Sequence, residues 1–150
     1  MKLKKHSEFL ALFDAAHLAG LNAARYARPR LTQVVKPLAG GGVIEYAPDW
    51  ASDDAALGYC GYAWVRIRPA TTAFARWCKM QTMAQFGFPE RPCAESDLHF
   101  GGLVIDVGVQ LPRAIDKSGQ SYEIKMAYAE AFSSVVRCAG YDARAEGRIN

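Results

Sequence analysis

The sequence predicts an α+β domain. A run at Gly61–Ile67 alternates small aliphatic residues with aromatic and cationic ones, as a strand does. Three longer stretches repeat apolar residues at helical spacing. Helices and strands do not alternate regularly, which disfavours a doubly wound nucleotide fold. The expected order is α-β-β-β-α-β-α-β, a mixed or antiparallel sheet of four to five strands packed with three helices. One domain is expected over 1–150, with 1–6 and 145–150 frayed.

Ser7 is placed to cap a first helix, with Glu8 in its first turn. Phe9, Leu12, Phe13, Ala16, Gly20, Ala23 and Ala27 share a face, and Pro29 stops the helix. The small residues Ala16, Gly20, Ala23 and Ala24 suit close approach to a sheet, or to a second copy in a homo-oligomer. Asp14 and His17 lie three apart, as a solvated surface contact or a general base with its carboxylate. The surface contact is the commoner outcome.

Thr32–Lys36 and Val43–Ala47 read as a hairpin around Gly40-Gly41-Gly42. No Lys-Ser/Thr and no helix start follow those glycines, so they are not a P-loop. Pro48 to Gly58 is an acidic loop containing Trp50, and its aspartates fit no calcium-loop spacing.

The central strand follows. Gly61, Ala63, Val65 and Ile67 face one way; Tyr62, Trp64, Arg66 and Arg68 face the other. Pro69 ends it. The second row is either a buried aromatic pair with two arginines at the edge, or a ligand-binding platform. On such a platform a base stacks on the aromatics and guanidinium groups pair with phosphate. Large aromatics on sheets are usually core.

Thr71 or Thr72 caps a second helix, Ala73 to Gln85, with Phe74, Trp77, Cys78, Gln81 and Ala84 on one face. Phe88 to Asp97 is loop. His99-Phe100-Gly101-Gly102 leads into a strand at Leu103–Val109, where Asp106 is expected to pair with Arg66 or Arg68 across the sheet. Leu111 to Gln120 is loop, including Asp116-Lys117-Ser118-Gly119. Ser121 caps a third helix reaching Ala139, buried through Ile124, Tyr128, Ala131, Phe132, Val135 and Cys138 or Ala139. Gly140 is its C′ glycine. Tyr141–Arg144 is a last edge strand, and Arg144, Glu146 and Arg148 fall in a polar tail.

Composition bounds the function. Apolar residues make up 51% and charged residues 22%, enough for a core and unlike a disordered chain. A net charge of +3 suits an anionic ligand but is too weak for duplex DNA. The basic start at Met1–Lys5 precedes an apolar stretch broken by His6, Ser7, Glu8 and Asp14, so no leader and no membrane association are expected. Cys60, Cys78, Cys93 and Cys138 form no C-x-x-C pair, so they are expected to be free thiols of a reducing cytosol. Cys60 with His99 or His17 is a nucleophile–base pair that nothing local supports, no zinc motif or paired-carboxylate motif is present, and no metal or cofactor is expected. This favours a binding protein over an enzyme.

Several segments also carry a likeness. They are Phe13-Asp14-Ala15-Ala16-His17, Cys60-Gly61-Tyr62-Ala63-Trp64-Val65 with Pro69, and Phe74-Ala75-Arg76-Trp77. Gly101-Gly102, Lys125–Ala129 with Ala131-Phe132, Gly140-Tyr141 and Arg148-Ile149-Asn150 continue it. In this order the chain resembles an uncharacterised family of small proteins from tailed bacteriophages and prophages, although its Phe88–Phe100 loop is longer. The resemblance implies a phage origin and a place in the host cytoplasm, and it implies no activity. Two functions then stand as expectations. One is an accessory protein whose Tyr62, Trp64, Arg66 and Arg68 bind a small anionic ligand, such as a nucleotide signal of host antiviral defence. The other is a phage protein acting by contact with a host or phage protein, through Trp50, Trp77 or the Phe88–Phe100 loop.

Overall fold

The computed structural model describes residues 2–27, 34–37, 43–46, 60–84, 94–116 and 121–149. Outside them lie the Gly40–Gly42 tip, the acidic loop with Trp50, Pro29, Cys93, most of the Phe88–Asp97 loop and Lys117–Gln120.

Strand β3 (Gly61–Arg68) forms where the alternation places it. Its small and aliphatic set, Gly61, Ala63, Val65 and Ile67, is buried. On one side β3 pairs antiparallel with β5 (Leu103–Asp106), and β5 with β4 (Ala94–Ser96). On the other it pairs along its full length with β6 (Asp142–Ile149). Helix α2 (Ala73–Ala84) connects β3 to β4. The one-turn α3 (Val107–Gln110) and α4 (Tyr122–Cys138) connect β5 to β6. The sheet order β4-β5-β3-β6 and this β-α-β-β-α-β succession are the ferredoxin-like, split βαβ arrangement. An N-terminal helix, α1 (Lys2–Tyr26), precedes it, and β1 (Val34–Pro37) and β2 (Val43–Tyr46) form the expected hairpin. The fold is α+β.

Helix α4 starts where Ser121 accepts a hydrogen bond from the Ile124 N–H, and it ends before Gly140, whose φ is +97°. It packs on β3 and β6, and α1 packs along its outer side. The core therefore lies in two seams. Val65, Ile67, Leu103, Ile105 and Ala143 fill the sheet side; Ala16, Ala24, Tyr128 and Phe132 fill the helix side. Gly20 allows the helix contact, because a Cβ there would come 2.6 Å from the Tyr128 ring.

Several expectations are corrected. Helix α1 begins at Lys2, so Ser7 lies inside it and 2–6 is helical rather than frayed. Residues 145–149 belong to β6, held by eight residues of pairing to β3 rather than frayed. The strand after Gly102 ends at Asp106, whose side chain accepts from the Gly108 N–H and starts α3. The α4 stripe runs through Ala129, Ser133 and Val136; Cys138 is exposed, and Ala131 and Val135 are half-buried. The small-residue face of α1 is covered by α4 of the same chain, which removes the reason for reading it as an oligomer surface.

Gly20→Ala is expected to destabilise. Alanine gains about 1 kcal/mol of helix propensity. Pushing a methyl into the Tyr128 ring costs about 1–3 kcal/mol and separates the helices. A lower urea midpoint than the native chain's is the expected outcome.

Candidate binding face of the sheet

The helices occupy one side of the sheet, and no described helix covers the other. Register assigns the residues of that second face. Tyr62, Trp64, Arg66 and Arg68 stand opposite Arg148, Glu146, Arg144 and Asp142 of β6. Val104 and Asp106 of β5 lie beside Arg66 and Trp64, and Glu95 of β4 lies beside Val104. The four residues singled out from the sequence thus share a face, but their environments differ. Tyr62 is 57% exposed, Trp64 is half-buried, Arg66 is 5% exposed, and Arg68 is exposed.

Arg66 is buried on an uncovered face because the β4–β5 turn folds over it. Its Nε donates to both Glu146 oxygens, at 3.0 Å and 2.8 Å. Its Nη1 donates to Asp97 Oδ2 at 2.8 Å and to the Gly101 carbonyl at 2.5 Å. Trp64 Nε1 donates to the same Glu146 carboxylate at 2.7 Å. Two carboxylates therefore hold the one cation at the centre of the face, a cluster of net charge −1. Burial pulls the Arg66 guanidinium down, but its bonds to Asp97 and Glu146 outweigh that and raise its pKa. Burial pushes Glu146 up, and the bonds from Arg66 and Trp64 bring it below its ordinary value. Asp97 is lowered to about 2, first by the Phe100 N–H, then by Arg66 and the His99 N–H.

The turn is built by its own sequence. Asp97 Oδ1 accepts from the His99 and Phe100 N–H groups, an Asx-type turn. Gly101 and Gly102 follow at φ +76° and +86°. A Cβ on Gly102 would also come 2.9 Å from the Ile67 carbonyl, so the close approach to β3 needs glycine. The turn carries Leu98, 99% exposed, and Phe100, 69% exposed. The Phe100 carbonyl accepts from Arg68 Nη2 at 3.0 Å. Between turn and sheet lies an open cleft of about 590 Å³, lined by Trp64, Arg66, Val104, Leu98, Phe100 and the polar groups of Glu95–Asp97 and His99.

At the other end of β3, Lys125 comes up from α4. Its Nζ donates to the Gly61 carbonyl at 3.0 Å and lies 5.5 Å from the centre of the Tyr62 ring. Tyr62 faces Arg148 across the ladder. This corner is cationic, whereas the Arg66–Glu146–Asp97 cluster at the centre of the face carries a net −1.

Two further expectations change. Asp106 pairs with neither arginine; it caps α3, and Glu146 and Asp97 take the place expected of it. His17 makes no surface pair with Asp14. Its ring lies against Phe13, and its Nδ1 is 2.5 Å from the Tyr128 hydroxyl. Burial lowers the His17 pKa against the opposing pull of Asp14. That places a structural hydrogen bond in the α1–α4 seam. Glu146 and Asp97 were missed from the sequence for separate reasons: Glu146 sat in what read as a frayed tail, and Asp97 closed a loop. The Asp97-Leu98-His99-Phe100-Gly101-Gly102 turn pattern was the available signal for Asp97.

Among the described residues, no group of three His, Cys, Asp or Glu side chains is placed to hold a metal ion. No described helix is long and apolar enough to cross a membrane. No protein-family model, no curated protein and no solved structure matches the chain.

Arg66→Ala is expected to lower unfolding free energy by about 2–4 kcal/mol. That is below the figure for a fully dry pair, because Glu146 and Asp97 keep partial solvent access. Acid dependence isolates Asp97. Its folded pKa of about 2 lies below the ordinary 3.8, so the stability it adds is full above pH 3.8 and is lost as pH falls through about 2. Asp97→Asn is expected to lag the native chain at pH 7 and to lose most of that gap by pH 2. Thermal midpoints across that range check it, and a constant gap would contradict it.

Proposed function

We propose that this chain is a non-enzymatic phage protein of the host cytoplasm that works by protein–protein contact through the uncovered face of its sheet. One observation carries the reading: Arg66, the central cation of the face, is committed to Glu146 and Asp97, while Leu98 and Phe100 project around the cleft and Tyr62 stands exposed at the far end of β3. Exposed aromatic and aliphatic side chains beside a cleft, over a cation already paired within the chain, match what protein interfaces select. Trp64 and Val104 floor the cleft as a pocket for a partner's apolar anchor. The phage resemblance supports the setting, either inhibition of a host factor or a role in particle assembly.

A second reading has its own support. Tyr62, with Arg148 opposite and Lys125 beneath, offers a stacking ring next to cations for a small anionic ligand such as a nucleotide. Of the four residues expected to form that site, Tyr62 and Arg68 remain accessible, and Arg66 is taken.

The test uses host lysate and phage structural proteins passed over the tagged native chain and over Leu98→Ser/Phe100→Ser. A specific partner retained by the native chain is expected to bind the double variant at least about tenfold more weakly. Both changes are on the surface, so stability should move by no more than about 0.5 kcal/mol. Equal retention by both chains would refute the reading. So would a nucleotide-induced thermal shift that disappears in Arg148→Ala, which would move the function to the Tyr62 corner.

A further inference from the structure

Strand β6 is an edge strand of eight residues with no proline. Its inner edge is paired to β3 throughout, and no described element pairs with its outer edge. The Arg148 carbonyl lies against Gly61, on the β3 side. Backbone groups alternate in direction along an antiparallel strand. The N–H and C=O groups of Ala143, Ala145 and Gly147 therefore point outward. A long exposed edge is a template for another strand, and natural proteins blunt such edges by shortness, proline, bulges or charged side chains. This edge is neither short nor broken by proline, and its charges alternate in sign. On its open face it reads Asp142, Arg144, Glu146, Arg148, with signs alternating. On its helix face it reads Ala143, Ala145 and Gly147, all small, and then Ile149 at its end.

That pattern is complementary to itself. We propose that two copies pair antiparallel through β6, about a twofold axis at Ala145, joining two four-stranded sheets into one of eight strands. With Ala145 opposite the partner's Ala145, Asp142 meets the partner's Arg148 and Arg144 meets the partner's Glu146. By symmetry all four open-face pairs are of opposite charge. Other registers fail. A slip of two residues one way sets Arg144 against the partner's Arg144 and Asp142 against the partner's Glu146. The same slip the other way sets Glu146 against the partner's Glu146 and Arg144 against the partner's Arg148. Like charges directly opposite are destabilising, and a slip of one residue reverses the faces. On the helix face the small side chains let the strands approach without a clash.

Two existing contacts must be accommodated. Arg137 Nη1 donates to the Ala143 carbonyl at 2.7 Å, leaving that oxygen one lone pair for the partner's Gly147 N–H. Glu146 already accepts from Arg66 and Trp64, and its two oxygens have capacity for one further donor. The intrachain Asp142–Arg144 contact, 3.3 Å and exposed, is weak enough to exchange for cross-strand pairs. With the axis perpendicular to the sheet, both uncovered faces lie on one side, so a partner with two matching sites gains avidity.

The solution mass of the native chain by light scattering, over a concentration series, tests this first. A mass of twice 16.4 kDa is expected. Arg148→Asp creates two like-charge pairs per interface and should weaken the dimer at least about tenfold. Asp142→Arg/Arg148→Asp exchanges the signs and should restore it. Ala145→Cys, in an otherwise native chain, gives a readout without charge change. Paired residues there lie about 5.5 Å apart at Cα, within disulfide reach. Mild oxidation should cross-link it faster than the native chain with its own cysteines. A native monomer at all concentrations, a dimer indifferent to Arg148→Asp, or no added cross-linking at Ala145→Cys would each overturn the proposal.

Discussion

A guanidinium held between two carboxylates organises the uncovered side of this protein. Arg66 sits on the central strand, and its partners come from opposite sides of it: Glu146 from β6, Asp97 from the turn between β4 and β5. The three side chains tie that turn to the far edge of the sheet. The turn then holds Leu98 and Phe100 out over the cleft, while Trp64 is pinned by the Glu146 carboxylate. A buried ion pair of this kind adds little net stability compared with an apolar core, yet removal of one partner is costly. Its effect here is positional: it fixes a loop on a surface that no described helix supports.

The helical side supplies the stability that the open side lacks. Helix α4 is buried on two flanks, by the sheet and by α1. Glycines set both distances. Gly20 lets α1 approach Tyr128, and Gly147 lets β6 pass close to Tyr122 and Met126. The aromatic cluster of Phe9, Phe13, Phe74, Trp77 and Phe132 then closes the gap between α1, α2 and α4. Trp77, an anchor candidate from the sequence, is part of this cluster and donates to His6.

Much of the fold was legible because local signals and tertiary environment agree. The β3 alternation, the Ser121 cap and the Gly140 stop each gave an element at its place. The misplacements share one cause: an isolated stretch does not reveal what packs on it. The Ala16–Gly20–Ala24 stripe states that something lies close, and only the fold shows that it is α4. Asp106 read as the partner of an arginine because strand alternation continued through Val107; a cap at the strand end ended that pattern instead. For the site, the sequence put Tyr62, Trp64, Arg66 and Arg68 on one face. It could not show that Arg66 is neutralised, because Asp97 and Glu146 stand 31 and 80 residues away along the chain.

The most direct measurement is the Arg66 Nε–H resonance in ¹⁵N-labelled protein, assigned by its loss in Arg66→Lys. A guanidinium locked to Glu146 should give a sharp signal that exchanges slowly with water and does not move when pyrophosphate is added. A signal that exchanges as fast as the exposed Arg68 Nε–H, or that shifts on pyrophosphate addition, would contradict it and make Arg66 a ligand-binding cation.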